Sequence, residues 1–183
     1  GRAKRYDTFD LHLAKPEPLV SRRQVLEIEE RVGADGSVVQ PLQPAAVDEL
    51  LGRLADIDPS AVAVSLLHSY LRPEHEEQIG AALSAWRPEL PVSLSSQVSP
   101  KYREYERTST TVANAYVAPV TARFLDRLDA AFAERGFRGE LYAMQSNGGL
   151  LSAAMVRELP VTMIESGPAA GVLLAAEIGR REG

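Results

Sequence analysis

The chain has 183 residues, enough for one domain with its own core, and its 45% hydrophobic and 25% charged residues are the balance of an ordinary globular protein and not of a disordered tail. Its 25 acidic and 20 basic side chains give a net charge of −5 with no basic block to follow a phosphate backbone, so nucleic acid is not an expected partner. The absence of cysteine excludes disulfides and thiolate metal sites, and the longest strongly apolar stretch, Gly167 to Ala176, is about half of the roughly 20 residues that cross a bilayer, so no membrane association is expected.

The sequence opens at Gly1 without Met, and Gly1 to Asp7 carries no helix-start or strand pattern. It closes on Arg180-Arg181-Glu182-Gly183 directly after an apolar helix, where an alternating α/β protein continues into a strand. Both edges are expected to be cuts in a longer protein, and the lack of a signal-peptide pattern makes the expected location cytoplasmic. Val25 to Val32 and Ser37 to Val39 are β-prone runs around Asp35-Gly36, a hairpin signal. Pro44 opens a helix in which Val47, Leu50, Leu51 and Leu54 recur at helical spacing up to Asp56. Ala61 to Leu67 suits a strand buried on both faces. Pro73 then opens a helix with Glu74, Glu76 and Glu77 in its first turns, as the helix dipole favours, and Ile79, Leu83 and Trp86 facing inward. Pro91 to Ser95 is the next strand.

From Lys101 to Val117, Tyr102, Tyr105, Val112 and Tyr116 share one helical face with Ser109, and Arg103, Arg107, Thr110 and Asn114 line the other. The expectation is an aromatic face inward and a polar stripe in solvent. Pro119 is expected to break this helix and start another, buried through Phe124, Leu125, Leu128 and Phe132 and stopped at Gly136. A strand at Leu141 to Gln145, a helix at Ser152 to Glu158, a strand at Val161 to Ile164 and a helix at Pro168 to Ile178 complete the pass. The fold class is α/β, a mixed sheet with flanking helices, with Ala61 to Leu67, Leu141 to Gln145 and Val161 to Ile164 in one sheet.

Three segments are placed to carry chemistry. Gln145-Ser146-Asn147-Gly148-Gly149 leaves the carboxyl end of a strand, where open α/β sheets bind ligands; the alternative is a Gly-rich turn without one. Glu165-Ser166-Gly167-Pro168-Ala169-Ala170-Gly171 reads as a capped helix start able to hold an anion, or as a packing helix whose small residues Gly171, Ala175 and Gly179 let a neighbour approach. His68-Ser69-Tyr70 also follows a strand, with a structural hydrogen-bonding His as the alternative. Arg103 and Arg107 suit phosphate or an acidic substrate group, or a solvated face. His68, His75, Glu74 and Glu76 fix no ligand geometry, so no metal site is expected. Phosphate loops, dinucleotide-binding turns, hydrolase elbows and zinc-helix motifs are absent from the sequence.

Four segments, Ala63-Val64-Ser65-Leu66-Leu67-His68-Ser69-Tyr70, Tyr105-Glu106-Arg107-Thr108-Ser109-Thr110-Thr111 with Asn114-Ala115-Tyr116, Met144-Gln145-Ser146-Asn147-Gly148-Gly149, and Ser166-Gly167-Pro168-Ala169-Ala170-Gly171-Val172, stand in this order. In order and spacing they resemble the hydantoinase A/5-oxoprolinase family. The resemblance implies an internal piece of an actin-like (ribonuclease H-like) ATPase fold, divided into a hairpin entry segment 1–43, an α/β body 44–165 and a lobe-connecting helix 166–183 that includes Ser166, Gly167, Pro168 and Gly171. It implies an enzyme that uses ATP and magnesium to phosphorylate a carbonyl or enol oxygen, either opening a cyclic amide or carboxylating a ketone. A B-type subunit is the implied partner, and a non-catalytic lobe that only binds this partner is a further alternative, as is a sugar kinase of the same superfold. The nucleotide-gripping Asp-x-Gly-Gly-Thr motifs of the family do not occur here, so tight ATP binding by these residues alone is not expected. Ser146, Asn147, Gly148 and Gly149 are the implied cleft residues, with Arg107 either neutralising phosphate or bracing the wall and His68 beside it; no nucleophile or general base is identified.

Overall fold

The computed structural model describes His12 and residues 17–182; the opening segment Gly1 to Asp7 and the terminal Gly183 lie outside the described residues. The first hairpin pairs β1 (Arg31–Val32) with β2 (Val38–Gln40) antiparallel. Its turn closes through Gly33 N to the Ser37 carbonyl at 2.8 Å, with Gly36 at φ 81°, a backbone region that glycine enters without a Cβ clash. As the sequence predicts, Pro44 occupies the first turn of α1 (Pro44–Ile57), which ends on Asp58 in the left-handed region.

β3 (Val62–Val64), α2 (Glu74–Trp86) and β4 (Val92–Leu94) form a βαβ unit with β3 and β4 parallel, Val62 opposite Val92 and Val64 opposite Leu94. The core lies here: Leu42, Leu54, Val64, Ile79, Leu83 and Leu94 are buried together, with Val47, Leu50, Leu51 and Trp86 packed around them. Each such side chain contributes roughly 1.5–3 kcal/mol relative to exposure. The inward Ile79, Leu83 and Trp86 are where helical spacing put them.

After the short α3 (Ser95–Val98), α4 runs unbroken from Glu104 to Glu134 with Pro119 inside it. The expected break is therefore overturned. Proline removes one ladder bond, but Ala115, Ala118 and Leu125 are buried around it, and their packing holds the helix through the gap. The helix faces are also inverted relative to expectation. Arg107, Thr111, Asn114 and Ala115 point inward, and Tyr102, Tyr105 and Tyr116 stand in solvent. Of the second expected stripe, Leu125 is buried and Leu128 half-buried, whereas Phe124 and Phe132 are exposed.

β5 (Tyr142–Met144) and β6 (Leu150–Ser152) make an antiparallel hairpin, and Ser152 caps α5 (Ala153–Glu158) through the Met155 amide. Val161 to Ile164 is not a strand: Pro160–Met163 is a 3-10 turn. The Val161 amide is taken by Asn114 Oδ1 and the Thr162 amide by the Leu159 carbonyl, which leaves neither for a neighbouring strand. The described strands form three separate two-stranded sheets, so the single shared sheet is corrected too. α6 (Ser166–Glu182) starts at Ser166, two residues before the expected Pro168. None of its described residues is buried.

Candidate functional site

The carboxyl ends of the parallel strands β3 and β4 are held by two buried, oppositely charged side chains. Glu76, on α2 and 0% exposed, accepts hydrogen bonds from the Leu66 amide (2.8 Å) and the Ser95 hydroxyl (2.7 Å) on Oε1, and from the Ser96 amide (2.8 Å) on Oε2. Arg107, on α4 and 2% exposed, donates from Nη2 to the Leu66 carbonyl (2.8 Å), from Nη1 to the Lys101 carbonyl (3.2 Å) and from Nε to Ser95 Oγ (3.1 Å). The backbone of Leu66 is thus gripped on its N–H by a carboxylate and on its C=O by a guanidinium. Ser69 Oγ joins Ser95 Oγ at 3.0 Å, and the guanidinium carbon lies 5.5 Å from the Tyr70 ring centre. Buried charges are tolerated when paired or fully hydrogen-bonded, and here the two meet through Ser95.

His68 sits in the turn that this clamp fixes. It takes φ 60°, uncommon for a side chain with a Cβ, and its Nδ1 donates to the Val32 carbonyl at 2.9 Å, tying the first hairpin to the end of β3. His75 Nδ1 donates to Glu30 Oε2 at 2.7 Å, a second buried tie to the same hairpin. Each candidate ligand of the weak metal pattern is therefore committed elsewhere, apart from Glu74, which faces Arg72 at 4.0 Å. Among the described residues no three His, Cys, Asp or Glu side chains come together in a metal-binding group.

The loop Ser146 to Gly149 is the tip of the β5–β6 hairpin. The Gly148 amide donates to the Gln145 carbonyl at 3.0 Å, the Gly149 amide to Asn147 Oδ1 at 2.8 Å, and the Gln145 amide to the Gly149 carbonyl at 2.8 Å. Ser146 is used structurally: its amide (2.8 Å) and hydroxyl (2.7 Å) donate to the Thr162 carbonyl, and the hydroxyl also touches the Ile164 carbonyl. Gly148 has φ 85°, and a Cβ there would lie 2.8 Å from Leu173 Cδ1, so the tip rests against α6.

Arg107 and His68 stand at one end of the β3–β4 pair, joined through Leu66 and Tyr70. Among the described residues no hydrogen bond or ion pair joins either of them to Ser146–Gly149. The two groups belong to one body through Asn114, which donates to Ser93 Oγ and the Glu158 carbonyl, each at 3.0 Å, and accepts from the Val161 amide at 3.1 Å. Two open recesses of about 280 and 420 Å³ flank β4, and neither is lined by His68, Arg107 or the hairpin tip. Ser166, Gly167 and Pro168 lie in the first turn of α6 and Gly171 in its second, with open space beside both glycines. Sequence reasoning named Ser69 within His68-Ser69-Tyr70 and Glu76 only as a first-turn acid and metal candidate; it missed Ser95 and the buried, bridging role of Glu76. For Glu76 a signal existed: it shares a helical face with Ile79 and Leu83, both of which point inward.

The arrangement is a buried, densely hydrogen-bonded cluster at the ends of β3 and β4. The family model described as Hydantoinase/oxoprolinase matches residues 107–183, and that of the Hydantoinase/oxoprolinase N-terminal region matches residues 1–86. The chain belongs to the hydantoinase/oxoprolinase family. It is 39% identical over 93% of its length to caprolactamase subunit alpha of Pseudomonas jessenii, covering 25% of that subunit. The crystal structure of that ATP-dependent caprolactamase matches 98% of the chain with a TM-score of 0.83 at 37% identity, the chain covering 26% of it. A nucleotide-free acetone carboxylase structure matches 93% with a TM-score of 0.80 at 31% identity, 24% of that chain being covered. 5-oxoprolinase 1 of Arabidopsis thaliana is 33% identical over 94% of the chain and 15% of its own length. The chain thus spans about a quarter of the length of these relatives, or less. Their actin-like hydantoinase fold contains the α/β body described above. Among the described residues no helix is long and apolar enough to cross a membrane.

Proposed function

We propose that this chain is part of a longer, ATP-dependent enzyme that opens a small cyclic amide by phosphorylating its carbonyl oxygen, with ATP and magnesium held by parts of the polypeptide other than these residues. The observation that carries the reading is the match to the ATP-dependent caprolactamase, which exceeds the match to acetone carboxylase in identity, coverage and TM-score. In such chemistry the phosphoryl group makes the carbonyl carbon electrophilic, and the protein contributes positioning and charge neutralisation. Within this chain Ser146, Asn147, Gly148 and Gly149 line the cleft together with His68. Arg107 braces the wall, because three of its guanidinium hydrogen bonds are already made within the chain. The division into 1–43, 44–165 and 166–183 follows, with α6 as the connector between lobes, a role supported by its lack of any buried residue. A separate B-type subunit is the proposed partner, in line with relatives named as subunits, and the cytoplasm the proposed location.

The test is to assay the complete parent enzyme with its partner subunit for ADP release and ring opening on 5-oxoproline, a hydantoin and caprolactam. Ring opening that requires ATP supports the reading. ADP release that requires bicarbonate and a ketone, with every ring left intact, identifies the carboxylase branch instead.

A further inference from the structure

The outward face of α4 is fixed where it is, and it is aromatic. Tyr105, Ser109, Val112, Tyr116 and Val120 follow one another at i, i+4, i+7, i+11 and i+15, a single line along the helix that carries no charged residue. Tyr105 is 81% exposed, Tyr116 61% and Val120 60%, and Phe124 extends the line. Rolling the helix to bury these rings would break three hydrogen bonds of Arg107 and three of Asn114 on the opposite face, leaving a buried guanidinium and amide without partners. The exposed part of the line amounts to on the order of 450 Å² of largely apolar surface, the size of the largest patch on a typical free-standing protein, which is often functional.

We propose that this face is a permanent interface covered by another stretch of the same parent polypeptide, one that presents an uncharged, apolar surface. The inference rests on the reading that the chain is part of a longer enzyme. Permanent interfaces are more hydrophobic than transient ones, and tyrosine is enriched in interface cores. The cover belongs to the same polypeptide because the chain is 25% of the caprolactamase subunit and 15% of 5-oxoprolinase 1, so relatives carry ample further sequence on one chain. A second element points the same way: α6 has 17 residues and buries none of them, with Val172 and Leu174 among its most exposed side chains. α6 touches the hairpin tip through Leu173 but leaves its other apolar side chains uncovered, and two such largely uncovered apolar elements are what removal of a surrounding polypeptide leaves.

The experiment is tyrosine nitration with tetranitromethane on the folded full-length parent, read by peptide mass spectrometry, with the denatured parent as reference. It uses neither ATP nor an amide, so its result stands apart from the fate of the proposed reaction. Tyr105 and Tyr116 are expected to react at least about tenfold more slowly in the folded parent alone. Reaction near the denatured rate overturns the proposal. Protection that arises only after the partner subunit is added overturns it as well, since the occupant is then a separate chain. A Tyr116→Lys parent is expected to show a lowered Tm and rapid nitration of Tyr105; an unchanged Tm with Tyr105 still protected counts against the interface.

Discussion

Replacing Glu76 by Gln exchanges one carboxylate oxygen for an NH2 group at a fully buried position. The carboxylate accepts from two backbone amides, Leu66 and Ser96, and from the Ser95 hydroxyl. An amide side chain keeps one acceptor oxygen and turns an NH2 group toward a donor, so at least one buried N–H is left unsatisfied. That costs about 1–3 kcal/mol, and loss of the negative charge near the buried Arg107 raises the total to roughly 2–4 kcal/mol. At about 2–4 °C per kcal/mol for a chain of this size, Glu76→Gln should lower the thermal midpoint by about 5–15 °C. Ser95→Ala leaves both backbone amides paired but takes the acceptor from the buried Arg107 Nε and the partner from Ser69 Oγ, so it should also cost about 1–3 kcal/mol. The assay is thermal unfolding of the 183-residue chain followed by circular dichroism. A Glu76→Gln midpoint within about 2 °C of the unsubstituted chain would refute the claim that this carboxylate holds the ends of β3 and β4 together.

The hairpin tip separates two glycines by their roles. Gly148→Ala should cost about 1–3 kcal/mol, because φ 85° disfavours a Cβ and Leu173 occupies the space; an unchanged midpoint would show that the turn relaxes freely. Gly149→Val in the complete parent meets only the side-chain ends of Gln145 and Asn147, so it should fold yet lose turnover, and near-normal activity in folded Gly149→Val and Asn147→Ala proteins would remove the tip from the site. Calorimetry of the 183-residue chain with Mg-ATP should show weak binding or none, and low-micromolar affinity would contradict the placing of the nucleotide grip outside these residues. The Ser37 hydroxyl, and then its amide, hold the Asp35 carboxyl below its ordinary range. A lowered folded pKa gives a contribution that is present above the unfolded pKa and is lost as pH falls through the folded one. Ser37→Ala should therefore move the Asp35 titration upward by NMR, and an unmoved titration would refute the assignment.

What the sequence determined by itself was whatever rests on residues close in the chain. Asp35-Gly36 between β-prone runs makes the first hairpin, Pro44 and Pro73 stand at the starts of α1 and α2, and the apolar spacing of Val47 to Leu54 and of Ile79 to Trp86 is the packed spacing. The order of four short segments was also enough to point to the family, because order and spacing survive where no single motif is decisive. The position of the hairpin tip at Ser146 to Gly149 was legible for the same local reason, although its pairing with Leu150 to Ser152 was not.

Only the tertiary structure decided which way α4 faces. Helical periodicity divides Lys101 to Val117 into an aromatic and a polar side, and hydrophobicity assigns the aromatic side to the core. The carbonyl of Leu66, the hydroxyls of Ser93 and Ser95 and the carbonyl of Glu158 lie 41, 21, 12 and 44 residues from the α4 side chains that bind them. Once those groups line the interior, a buried Arg107 and Asn114 are satisfied and the tyrosines must turn outward. The same distance effect lets the helix pass through Pro119, and it turns Val161 to Met163 into a 3-10 segment, because Asn114 takes an amide that a strand would have used. A hydrophobic pattern specifies how much surface a helix has to bury, but the choice of buried face is made by groups that sequence places far away.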